Sequence, residues 1–194
     1  MCLICGQNIK EKYMRHALVE SYVRQLRSSL QATAVPVEED MLRSLYDRRS
    51  YGGLVGVIKK IMHLELRIRL GLVNNGGPNA PAWVQCPDPM PLYGSSEFCK
   101  IEVPLYLRKS FLREVEFEQV VCAIAHELAH VVLHSLRHPL RTEEEAVDLT
   151  AMLLGFRDFY MTGCVQSFRG HVVYQQGYLS EKEICYAAHY MTFR

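Results

Sequence analysis

An excess of charge of either sign is missing from this chain: 22 Lys and Arg face 21 Asp and Glu, a formal net charge of +1. So balanced a chain has no field that would draw nucleic acid or anionic lipid as its main partner, and no nucleic-acid partner is expected. No apolar run approaches the roughly 20 residues that a membrane span requires, so none is expected. Met1 to Lys12 lacks a basic start followed by an apolar stretch, so no signal peptide is expected and the reading is a cytoplasmic protein; export by a specialised route stays compatible with it. The glycines at 52, 53 and 56 are followed by no Gly-Lys-Ser/Thr, which excludes a phosphate loop. Internal repeats, low-complexity tracts and a composition break are also missing. The 194 residues (22.3 kDa) therefore read as one domain with a sizeable core: a helical N-terminal portion over 1–63, then a sheet and the catalytic helices over 64–194.

Paired cysteine spacing is scarce too. The seven cysteines (2, 5, 86, 99, 122, 164 and 185) are odd in number and irregularly placed, which predicts free thiols rather than a disulfide framework. Cys2 and Cys5 have a CxxC spacing, but no second CxxC or paired histidine set completes a zinc ribbon. An incidental or redox-sensitive pair is the favoured reading.

What is present begins with helical periodicity over Ile9 to Ala34, closed by Pro36, and again over Glu38 to Asp47. Gly52-Gly53 then predicts a break before a short helix over Leu54 to His63. Leu64 to Val73 alternates Leu64, Leu66, Ile68 and Leu70 with Glu65, Arg67 and Arg69, the period of a half-exposed strand. The Gly/Pro/Asn/Ser-rich stretch from Asn74 to Phe98 reads either as a functional loop or as a surface insertion. Lys100 to Leu107 resumes the strand pattern. Pro104 favours an edge position there, from which an extended peptide could be bound by strand pairing; an ordinary core strand is the alternative. Glu114 to Leu136 is helical. Thr142 and Glu145 have capping-box spacing and open a further helix running toward Phe159, interrupted at Gly155. Ser180 and Glu183 repeat that spacing before a last helix.

The middle of the Glu114–Leu136 helix reads His126-Glu127-Leu128-Ala129-His130. Residues four apart share a helix face, so His126 and His130 present two imidazoles to one point and form a chelating pair for zinc. Glu127, about 100° around the helix, can reach a water at that point without ligating the metal. It is the candidate general base for a water whose acidity zinc would raise. The apolar neighbours Val120, Val121, Ile124, Leu128, Val131 and Val132 make burial of these polar groups costly unless a metal or a network satisfies them.

A third ligand is needed. The Gly and third His that a metzincin would place just downstream are missing; the acidic run Glu143-Glu144-Glu145 and Asp148 stand there instead. In this the chain resembles the gluzincins, in which a glutamate on a following helix completes a zinc site and an aspartate one turn on bonds the first histidine. The resemblance covers Ile101 to Phe156. Among gluzincins the layout is nearest to the short ImmA/IrrE-like peptidases and to membrane-embedded relatives stripped of their spans. It implies an α+β zincin-like fold, with a small twisted sheet on the two motif helices, Zn2+ as cofactor and a protein or peptide substrate. Glu144 matches the ligand position and Asp148 the aspartate that fixes His126. Glu145 is the rival ligand, although the capping box is its better use.

The resemblance also implies a donor to the oxyanion, for which His171, Tyr174 and Tyr160 are candidates without a supporting spacing. His134 and His138 continue the face of His130 beyond the motif and read as surface or rim residues. The expected activity is zinc-dependent peptide hydrolysis. The alternatives are a regulatory or binding protein on the same scaffold, and a toxin or effector protease with one target.

Overall fold

The alternating segments join into one mixed sheet, and its edge lies over the helix that carries the HELAH motif. The chain is described here as a computed structural model covering residues 3–30, 37–168, 171–175 and 177–193, with side chains for 14–30, 37–164 and 177–192. Cys2, Pro36 and the side chain of Cys5 lie outside the described residues. An α+β architecture results, with α1 (Leu3–Leu30), α2 (Glu39–Asp47) and α3 (Tyr51–Ile61) ahead of the first strand. The turn before α3 falls at Arg48–Ser50, where Arg49 has φ 55°, and not at the glycine pair, which α3 incorporates.

Strand β1 (Arg67–Val73) pairs in parallel with β3 (Glu102–Arg108), and β2 (Ala82–Val84) pairs antiparallel with β3. The sheet order is β1-β3-β2. This corrects two expectations. The loop from Asn74 to Phe98 contains a strand, and β3 is central while β2 forms the edge. Pro104 is tolerated because it stands where β2 ends: its carbonyl accepts from the Gln85 N–H at 3.0 Å, it has no N–H to return, and the pairing stops at Val84. Trp83 stacks on Tyr106 with ring centroids 5.1 Å apart. The Arg108 guanidinium donates to the carbonyls of Ala80, Gly76 and Pro78, so the segment before β2 is tied to β3.

After the short α4 (Phe111–Glu114) comes α5 (Phe117–Ser135), capped by a reciprocal Glu116–Gln119 box. Val103, Leu105 and Leu107 of β3 and Val120, Val121, Ile124, Leu128 and Val131 of α5 are fully buried in one core. Helix α6 (Glu144–Ala151) packs on α5. The expected Thr142–Glu145 box does not form: Glu143 is the N-cap residue and makes no side-chain capping bond. A π-helical turn over Met152–Phe156, with Gly155 at φ 114°, leads into α7 (Arg157–Gly163). Strands β4 (Val165–Phe168) and β5 (His171–Gln175) form an antiparallel hairpin, and α8 (Glu181–Phe193) starts with the expected Ser180–Glu183 box. Among the described residues no helix is long and apolar enough to cross a membrane.

Candidate metal centre

The HELAH segment occupies the middle of α5, and helix periodicity turns both histidines toward the first turn of α6. His126, His130 and Glu144 bring their ligand atoms within 4.8 Å of one another, the one group of this kind among the described residues. Glu144 Oε2 lies 3.2 Å from His126 Nε2 and 3.3 Å from His130 Nε2. Those approaches lack hydrogen-bond geometry, and Glu144 Oε2 is the one buried side-chain N or O atom among the described residues without a partner. A tetrahedron with zinc–ligand bonds of about 2.0–2.1 Å has edges of about 3.3–3.4 Å. The two Glu144–histidine separations and the orphaned oxygen therefore fit a cation held between the three groups. The donor set alone does not select zinc over other divalent metals.

Charge on these groups follows from their packing. Burial works against a charged His126, but the Asp148 and Glu144 carboxylates outweigh it and hold the imidazole up at about 10. Burial and the positive His126 push His130 down to about 4. The adjoining histidines keep Glu144 below the ordinary carboxylate range. The chain's own groups thus carry a proton on His126 that a metal ion would displace.

Asp148 is 1% exposed and fully engaged. Oδ1 lies 2.8 Å from His126 Nδ1 and accepts from the Tyr160 hydroxyl at 3.0 Å; Oδ2 accepts from the backbone N–H of Tyr178 at 2.7 Å and of Leu179 at 3.2 Å. Once that extra proton is displaced from Nε2, Nδ1–H still donates to Asp148 and the His126 Nε2 lone pair would face the metal position. Gly177 turns the 177–179 segment onto this carboxylate with φ 87°, and a Cβ there would come within 2.8 Å of Asp148 Oδ2.

Glu127 Oε2 accepts from the Val84 N–H at 2.9 Å. The edge strand β2 therefore turns a backbone amide toward the candidate base rather than toward β3. Burial raises the Glu127 carboxyl above its usual range, against the pull of His126 and of that amide.

The other candidates separate. Glu145 pairs with Arg15 at 3.3 Å and lies outside the His126–His130–Glu144 donor group. Tyr160 is buried and spent on Asp148, which removes it as an oxyanion donor. His134 is half-buried, its ring 6.4 Å from that of His130 and outside the donor group. His138 is buried and accepts from the Leu140 N–H, not a surface residue as expected. His171 and Tyr174 lie on β5, but their side chains are outside the described residues. Sequence reading missed Tyr178, whose ring stacks on His126 at 5.7 Å while 55% exposed; its loop has no spacing relation to the motif. No protein-family model, curated protein or solved structure matches this chain.

Glu144→Ala is expected to lose the bound metal, measured by atomic emission on protein reconstituted with zinc. Glu145→Ala is expected to keep it, since it removes only an exposed ion pair of roughly 0–1 kcal/mol. Retention of full metal content by both variants would rule out Glu144 as the third ligand.

Proposed function

We propose that this chain is a zinc-dependent metallopeptidase of gluzincin type. The observation carrying this reading is the convergence of His126 Nε2 and His130 Nε2 on the unpartnered Glu144 Oε2, with Glu127 on the same helix. His126, His130 and Glu144 hold the metal. Bound there, zinc supplies Lewis acidity, polarising the scissile carbonyl and raising the acidity of water. Glu127 takes a proton from the attacking water and delivers it to the departing amine nitrogen. Its raised affinity for protons suits it to both halves of that transfer. Asp148 keeps His126 in one orientation and tautomer. An extended substrate lies along the free edge of β2, where the Val84 N–H already faces the site.

Zinc-reconstituted protein is expected to cleave a mixed peptide library, read by mass spectrometry. A chelator should abolish cleavage, and added zinc should restore it. Stoichiometric zinc with no cleaved peptide would replace this reading by a metal-holding binding protein.

A further inference from the structure

Small residues of α5, Cys122 and Ala123, leave a cavity of about 540 Å³ beside His126 and Glu127. Two thiols that the metal chemistry does not use stand in its wall: Cys122 itself and Cys164, the residue after α7. The described cysteines are all free, and these two are the buried ones among them. Cys86 is half-buried, whereas Cys99 and Cys185 are exposed. Exposed Asn79, Glu114 and Tyr178 also line the cavity, so a small solute can enter it from solvent.

Packing brings the two thiols together from distant parts of the chain. Gly163 lets the end of α7 touch the α5 backbone, since a Cβ there would come within 2.7 Å of Glu118 Cβ and 2.9 Å of its carbonyl carbon. Cys164 follows that contact directly, and Cys122 lies one helical turn beyond Glu118. Burial, and then the Cys164 side chain against it, hold the Cys122 thiol well above its usual range.

The same two helices are already joined one turn away. Tyr160, four residues before Cys164, donates to Asp148, and Asp148 holds His126, four residues after Cys122. A bond between the sulfurs would run beside this link. It would close a loop of about 40 residues containing His126, Glu127, His130, Glu144, Asp148 and Tyr160. A disulfide is neutral, which suits a buried space where a thiolate or a sulfinate would lose its hydration.

We propose that Cys122 and Cys164 are a redox modification site, oxidised by hydrogen peroxide to a disulfide that staples α5 to the end of α7 beside the candidate metal donors. One sulfur attacks the peroxide, the O–O bond breaks, and the thiol proton leaves with the departing oxygen as water. The other thiol attacks the resulting sulfenic sulfur; the S–O bond breaks, the S–S bond forms and a second water leaves. The two sulfurs together give up two electrons, which the peroxide gains. A dithiol reductant reverses the change. The inference does not depend on peptide hydrolysis.

Full-length protein, purified under a reductant that is then removed, is treated with hydrogen peroxide, quenched with acid and alkylated before digestion. Mass spectrometry is expected to map a new cross-link between Cys122 and Cys164, the joined peptides having lost two hydrogens. The Tm of the oxidised chain is expected to rise by at least about 5 °C, and dithiothreitol to return it. Cys122→Ala and Cys164→Ala, both small apolar replacements, are expected to show no rise. The mapping is made on the wild-type chain, so it decides even where a variant fails to fold. Both thiols recovered alkylated, either recovered as a sulfinic acid, or a cross-link from either to another cysteine overturns the proposal. So does a cross-linked chain whose Tm is unchanged, or a rise that both variants keep.

Discussion

Glu127→Gln is expected to keep one zinc per chain while peptide hydrolysis falls on the order of 10²–10⁴-fold. The substitution preserves size and the ability to accept from the Val84 N–H, the one hydrogen bond that anchors Glu127 Oε2 at 2.9 Å. It removes only the carboxylate that can carry a proton. The three candidate metal donors are other residues, so metal content, Tm and the bond to β2 should be unchanged. Atomic emission and peptide cleavage on the same preparation check both halves. A variant that cleaves as fast as wild type would show that Glu127 is not the base.

Asp148→Ala should have the other large effect, and on a different quantity. Its carboxylate accepts from His126 Nδ1–H, the Tyr160 hydroxyl and the backbone amides of Tyr178 and Leu179. Deleting it strands several donors around a site that is 1% exposed. Each stranded buried donor costs about 1–3 kcal/mol. A net loss near 3 kcal/mol corresponds to a Tm drop of about 6–12 °C for a chain of this size. Zinc affinity should fall about 10–100-fold as His126 loses the group that fixes its tautomer. Calorimetric unfolding of the metal-free variant separates the first effect, and competitive zinc titration the second. An unchanged Tm would mean that water replaces the carboxylate, and that the cluster does not hold the 177–179 segment in place.

The parts of the fold that were legible in the residues are those fixed by local periodicity. The helix bearing His126 and His130, the strands around Leu70 and Leu105, and the last helix opened by Ser180 and Glu183 all appear close to their expected bounds. Local chemistry was less dependable where two uses of a residue compete. Thr142 and Glu145 have capping-box spacing, yet Glu143 takes the N-cap position and Glu145 turns to Arg15 on α1, more than a hundred residues away in the chain. Pro104 argued for an edge strand because proline cannot donate to a ladder. The argument missed that a three-residue neighbour can stop at that point and leave the strand central. Gly52 and Gly53 read as a break, but helix packing tolerates them within α3.

The candidate metal face was set by the sequence alone, because two histidines four apart on a helix must share a side and an adjacent glutamate must sit beside them. The resemblance to gluzincins also singled out Glu144 and Asp148, with Glu145 left as the rival ligand. Only the tertiary structure showed that Glu144, and not Glu145, lies with the two histidines, since that depends on how α6 meets α5 and where α1 places Arg15. It alone showed that Asp148 gathers Tyr160 and the 178–179 backbone as well as His126, that β2 holds Glu127, and that small residues on α5 leave a cavity beside the site. These are contacts between segments distant in the chain, made by packing that no local pattern encodes.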